Sequence, residues 1–240
     1  MRQRPNDKRR IELFYLPVNE TLEPRVLAEY QASLSPDELE RLRRIAHAES
    51  RRLFLAGRGL LREMLSQRCG VDARAIEFQY NAYGKPSLKM LVEPPLEFNV
   101  SHTRGLAVCV VSPVGPLGVD VERGRRIANP LQIARRFCAP SEAAALERLP
   151  AARRGPAFLE LWTLREALVK ARGDSIFSSP AGFAFSLADD GPAQVAFDES
   201  NGENREEWQF FRLRLAGRYR AALAVARPTS EQLEIAIHRR

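Results

Sequence analysis

The sequence predicts an α+β fold built from two similar lobes, each a small, largely antiparallel sheet packed with helices. Three observations carry this. A rhythm of strand, long helices and then strands runs through both halves, the connections are short, and Pro113 to Pro116 break the chain near its middle. The break sets an N-terminal lobe at 1–115 and a C-terminal lobe at 116–240. There is no internal sequence repeat and no low-complexity tract.

Residues 11–16 (IELFYL) read as a strand. Ser35-Pro36-Asp37-Glu38 starts a helix: a serine cap, proline in the first turn, and glutamate three after the cap. The Arg- and Leu-rich stretch to Arg68 continues it, as one helix or as two divided near Gly57 and Gly59, with Gly70 as the stop. Ile76 to Tyr80 is a short strand and Gly84-Lys85-Pro86 a loop. Phe98 to Ser101 and Leu106 to Ser112 pair around Thr103-Arg104-Gly105. Gly118-Val119-Asp120-Val121-Glu122 is the strand that opens the second lobe. Helices follow at 130–137, 141–149 and Arg153 to Arg172. Strands are then expected near 183–187, 194–197, 208–215, 219–226 and 233–238, with a polar, acidic loop at 198–206.

Across 240 residues the chain is 45% hydrophobic and 28% charged, a globular profile long enough for two small domains. Its net charge is +7, from 37 Lys and Arg against 30 Asp and Glu, which favours an anionic partner: nucleic acid, nucleotide or acidic protein. Cys69, Cys109 and Cys138 lack zinc-ligand spacing and are odd in number, so reduced, packing thiols in a cytoplasmic protein are expected. The basic N-terminus (Arg2, Arg4, Lys8, Arg9, Arg10) precedes too short an apolar run, interrupted by Glu12, to act as a signal peptide. No segment approaches the ~20 apolar residues that span a bilayer, so no membrane is expected as a partner.

The chemistry concentrates in three carboxylates and a lysine. On a strand, Asp120 and Glu122 point to one face while Leu117, Val119 and Val121 point to the other. On a helix, Trp162, Glu166 and Lys170 stand at i, i+4 and i+8 and form one stripe. Two same-face carboxylates repel unless a cation sits between them. A third from the helix would complete an all-oxygen site suited to Mg²⁺, with Lys170 one turn away for a phosphate. Either pattern alone has a plainer reading, a solvated strand edge or a surface ion pair worth a few tenths of a kcal/mol. Together they describe metal-assisted transfer of a phosphate-containing group.

Ser101 and His102 end a strand before a glycine turn, where hydroxyl and ring could both donate to a phosphate. Lys85 follows glycine and precedes proline in a rigid turn, though no Ser or Thr comes next as a Walker loop requires. Arg51, Arg52, Arg58 and Arg62 stripe the Leu-rich helix, as a solvated face or as a phosphate clamp.

The order of these motifs is informative. An Arg-rich helix is followed by Tyr83-Gly-Lys-Pro86, Phe98-Asn-Val-Ser-His102, Gly118-Val-Asp-Val-Glu122, Phe137-x-x-x-x-Glu142 and Trp162-x-x-Arg-Glu-Ala-x-x-Lys170. This closely resembles the 4′-phosphopantetheinyl transferases of the larger, two-lobed Sfp type, from about Ser35 to Phe185. The resemblance implies lobes related by a pseudo-two-fold axis that enclose coenzyme A. It implies transfer of the phosphopantetheine arm to a serine of an acyl or peptidyl carrier protein, with release of adenosine 3′,5′-bisphosphate. Asp120, Glu122 and Glu166 would hold Mg²⁺ against the diphosphate, and Lys170 would steady the leaving phosphate. Lys85, Ser101, His102 and either Arg51 or Arg52 would bind the coenzyme. Glu166 is the candidate base for the carrier serine, directly or through a water. Such a reaction needs positioning and charge neutralisation and no nucleophilic triad.

Two positions depart from the family pattern. Arg165 stands where the helix usually has lysine, and Gly173 is followed by Asp174, Ser175 and Ile176 in place of a second glycine and a leucine. The expected protein is a cytoplasmic monomer. An alternative, motivated by these departures, is a coenzyme A-binding protein without transfer activity. A nucleic-acid module, motivated by the charge, lacks any helix-turn-helix, RRM, KH or zinc pattern.

Overall fold

The computed structural model describes residues 9–18, 22–174, 182–186, 193–198, 202 and 204–240. The chain divides into two compact units: residues 1–115 with 233–240, and 116–232. Among the described residues there are six α-helices and several small sheets, a mixed α+β architecture. No helix is long and apolar enough to cross a membrane.

In the first unit, β1 (Arg10–Pro17) lies between β11 (Glu234–Arg239) and β5 (Leu106–Ser112), with β4 (Glu97–Thr103) at the far edge. β4 and β5 form the expected antiparallel hairpin, and β5 pairs antiparallel with β1. The last strand, β11, runs parallel to β1, with Leu13 opposite Ile237. Three helices precede the hairpin. α1 (Pro24–Ser33) was not foreseen from sequence. α2 (Pro36–Arg44) begins with the expected cap, in which the Ser35 hydroxyl accepts from the Glu38 amide and Glu38 accepts from the Ser35 amide. α3 (Ala48–Cys69) follows after a break at Ile45 to His47, not at the glycines. Gly59 sits mid-helix because the Tyr30 ring of α1 packs on its backbone; a Cβ there would lie 2.1 Å from that ring. Gly70 ends α3 in the left-handed region at φ 68°, where glycine has no Cβ to clash. A small sheet pairs β2 (Phe78–Tyr80) with β3 (Pro86–Leu88).

The second unit repeats this connectivity. β6 (Leu117–Arg123) is followed by α4 (Pro130–Phe137), α5 (Pro140–Arg148) and α6 (Ala151–Arg172), then a small sheet of β7 (Phe183–Ser186) and β8 (Gln194–Phe197), then the hairpin β9 (Trp208–Leu215) and β10 (Tyr219–Ala226). Sheet order β6-β10-β9 matches β1-β5-β4. The acidic loop at 198–206 is described only in part. Ser175, Ile176 and the basic residues Arg2, Arg4 and Lys8 lie outside the described residues.

Each unit also contains the same buried ion pair. Pro at the first helical position and Glu at the third recur in α2 and α5. In unit 1, Arg62 of α3 donates to Glu38 at 2.7 Å and to the Ala73 and Ile76 carbonyls, with its guanidinium over the Phe78 ring. In unit 2, Arg165 of α6 donates to Glu142 at 2.7 Å and to the Phe183 carbonyl, with its guanidinium 4.3 Å from the Phe183 ring centroid. Glu142 also accepts from the Ala139 and Phe185 amides, and both its side chain and that of Arg165 are 0% exposed. Burial pushes the Glu142 carboxyl up, while the guanidinium and the two amides pull it back.

Gly118 governs how α6 meets the sheet. A Cβ at this position would lie 2.2 Å from the Ala167 carbonyl oxygen and 2.3 Å from the Ala171 amide nitrogen. Helix and strand backbones therefore touch here, and only glycine permits it. The cysteines are all free: Cys109 and Cys138 are buried and Cys69 is half-buried. Burial pushes the Cys138 thiol up to about 12, leaving it protonated and inert at neutral pH.

Two outcomes are expected. Glu142→Ala strands a buried guanidinium and should cost about 3–5 kcal/mol in denaturant titration, whereas Glu142→Leu with Arg165→Met should cost far less. Gly118→Ala forces backbone apart and should cost at least about 1–3 kcal/mol, with helical circular dichroism retained and melting lowered.

Candidate functional site

The carboxylate site lies within unit 2. Asp120 and Glu122 share the α6-facing side of β6 with Gly118, and β10 places Ala222 opposite Asp120 and Arg220 opposite Glu122. The methyl of Ala222 leaves room beside Asp120. On α6, residues 161–170 are buried except Trp162, Glu166 and Lys170, which are half-exposed: the stripe read from sequence. Because α6 rests on the Gly118 backbone, this stripe is carried to the face of Asp120. Lys170 Nζ donates to Asp120 Oδ1 at 2.6 Å, in a site where Asp120 is 6% exposed.

Glu166 belongs to the same electrostatic neighbourhood. Burial raises its carboxyl above the usual range, the Lys170 ammonium lowers it, and the Asp120 and Glu122 carboxylates raise it again. A divalent cation among the three would relieve that repulsion, and an oxygen-only donor set suits a hard ion. Among the described residues, no three His, Cys, Asp or Glu side chains gather at ligand spacing. The Lys170 ammonium sits against Asp120, supplying the positive charge itself.

The unit 1 candidates are placed as follows. Asn81 Oδ1 accepts from the Tyr83 and Lys85 amides, and the Asn81 amide donates to the Lys85 carbonyl, so the turn is rigid. Lys85 is half-buried; desolvation lowers its ammonium and Glu97 raises it. Successive residues of a strand face opposite ways, so Ser101 and His102 do not emerge together. Ser101 is buried at 6% exposure, while His102 is exposed, on the side of Gly57 of α3. Arg51 is exposed and Arg52 half-exposed near the start of α3.

The four-arginine clamp is corrected. Arg62 is 1% exposed, and both it and Arg58 pair with Glu38, so these two hold the fold and are closed to a phosphate. Their spacing among leucines looked like a surface stripe, and the only sequence signal against it was an acid in the capping box 24 residues earlier. Three further contributors were not singled out from sequence. Ala222 and Asn81 act through size and turn chemistry, and Glu142 appeared only as a motif position.

Comparison with known proteins agrees with the chemistry. Residues 116–224 match the 4′-phosphopantetheinyl transferase superfamily, and residues 23–114 match the 4′-phosphopantetheinyl transferase N-terminal family. The 4′-phosphopantetheinyl transferase HetI of a Nostoc species is 40% identical over 151 residues, 62% of this chain and 64% of HetI. Sfp of Bacillus subtilis is 28% identical over 172 residues, 72% of this chain and 75% of Sfp. The transferase ffp of Bacillus subtilis is 30% identical over 166 residues, covering 69% of this chain and 72% of its own. With both families matched in succession and a relative at this identity covered over most of its length, the chain belongs to the 4′-phosphopantetheinyl transferases.

Proposed function

We propose that the chain transfers the 4′-phosphopantetheine arm of coenzyme A to a serine hydroxyl of an acyl or peptidyl carrier protein, releasing adenosine 3′,5′-bisphosphate. The observation that carries this is the Lys170–Asp120 contact beside a Glu166 whose carboxyl is pushed up, within a family of this activity. In this reading Asp120, Glu122 and Glu166 hold Mg²⁺, which when bound neutralises the diphosphate. The serine oxygen forms a bond to the phosphorus bearing pantetheine, and that phosphorus loses its bond to the bridging oxygen. The serine proton passes to Glu166, directly or through a water, and a carboxyl raised by burial holds a proton more readily than an exposed one. The departing bisphosphate carries the bridging oxygen's negative charge away, and Lys170, held beside Asp120, is the cation assigned to meet it.

Lys85, His102 and Arg51 or Arg52 bind the phosphates of the coenzyme in this proposal. Ser101 contributes less directly, since its hydroxyl is buried in the strand. A pseudo-two-fold relation between the units belongs to the same reading, supported by their shared connectivity and paired Arg–Glu contacts. The protein is proposed to act as a cytoplasmic monomer whose basic surface draws acidic carriers.

Mass spectrometry of an apo carrier protein incubated with coenzyme A and Mg²⁺ should show the phosphopantetheine mass on its serine. Asp120→Ala and Glu166→Ala should each lower the rate at least about 100-fold, the size of one lost charge-stabilising contact in a transfer site, with the circular dichroism of the folded chain retained. Transfer retained in both variants would remove the carboxylate assignment. No mass gain with fatty-acid, polyketide and peptide carriers alike would remove the function.

A further inference from the structure

Unit 2 contains a cavity of about 820 Å³ among α5, α6 and the β7–β8 and β9–β10 pairs. Its floor is apolar, made by Leu146, Leu161 and Phe185. Its other wall carries Arg214 and Arg220, with Arg212 beside them already paired to Glu160. The two acids that reach it are already neutralised, Glu160 by Arg212 at 2.7 Å and Glu142 by Arg165. Arg214 and Arg220 stand directly opposite each other on β9 and β10, and Glu122 stands opposite Arg220 on β6, so this row of the sheet sets two guanidiniums against one carboxylate. Arg220 Nε is inaccessible to solvent and has no hydrogen-bond partner, which is costly for a buried donor.

The wall and floor ask for different chemistry in one ligand. A guanidinium pair suits a carboxylate or a phosphate, which it can meet with parallel hydrogen bonds. An inorganic ion would leave the leucine and phenylalanine floor wet, and a neutral hydrocarbon would bring no anion to the exposed Arg214 on the wall. The volume lies in the range of small-molecule sites. We propose that this cavity binds a single-chain amphiphile with an anionic head, the head on Arg214 and Arg220 and the chain along Leu146, Leu161 and Phe185.

The test is calorimetric titration of the full chain with decanoate, decyl phosphate and decanol, all below micelle formation. Binding is read without turnover, so its outcome is independent of whether the chain transfers phosphopantetheine. Saturable binding of one or both anions, at least tenfold tighter than decanol, is expected. Arg220→Met should weaken the anions about tenfold and leave decanol unchanged. Ala145→Trp, at an exposed position on the cavity rim, should abolish binding of all three while leaving the melting temperature and carrier modification unchanged. Absence of saturable binding, equal affinity for decanol and the anions, or parental binding in both variants overturns the proposal.

Discussion

The contact between the β6 and α6 backbones at Gly118 is the constraint on which the site depends. Strand and helix come close enough that no side chain fits between them. That spacing sets the height of the whole Trp162–Glu166–Lys170 stripe above the sheet. Lys170 then reaches Asp120, which has the small Ala222 opposite it on β10. A glycine at the start of the strand thus acts two residues away from itself, on the distance between an ammonium and a carboxylate.

The buried Arg–Glu pairs anchor the long helices α3 and α6. In each unit a guanidinium on the long helix meets a glutamate at the start of a short one, and stacks on a phenylalanine from a two-stranded sheet. Three elements of one apolar cluster are pinned at one point. A buried ion pair is a weak source of net stability, because desolvation offsets the attraction. Its value lies in geometry: the planar fork of arginine accepts only one arrangement of its partners. Arg165 fills this place through Glu142, the Phe183 carbonyl and the Phe183 ring. Being next to Glu166 in the chain, it also fixes the helical phase at which that carboxyl leaves α6.

The faces that the candidate site residues share were legible in sequence, because strand and helix periods dictate them. Asp120, Glu122, Glu166 and Lys170 follow from strand and helix periods alone, and the structure places all four in one electrostatic neighbourhood. The strands β8, β9 and β10 lie where alternation put them. What sequence could not supply was pairing at a distance. Arg58 and Arg62 looked like a surface stripe because nothing local names Glu38 as their partner. The break between α2 and α3 falls at Ile45 to His47 rather than at the glycines, since Gly59 serves the packing of Tyr30 and not flexibility. Ser101 and His102 read as a pair, yet strand alternation buries one and exposes the other.

The parallel pairing of β11 with β1 makes the first unit discontinuous, with the whole of the second inserted between its last hairpin and its final strand. On a ribosome, residues 116–232 emerge as one uninterrupted stretch and can condense immediately. The sheet begun by β1 must wait, with one side open, until residues 234–239 have been made. Synthesis order and order of completion are therefore reversed: the part made first is sealed last.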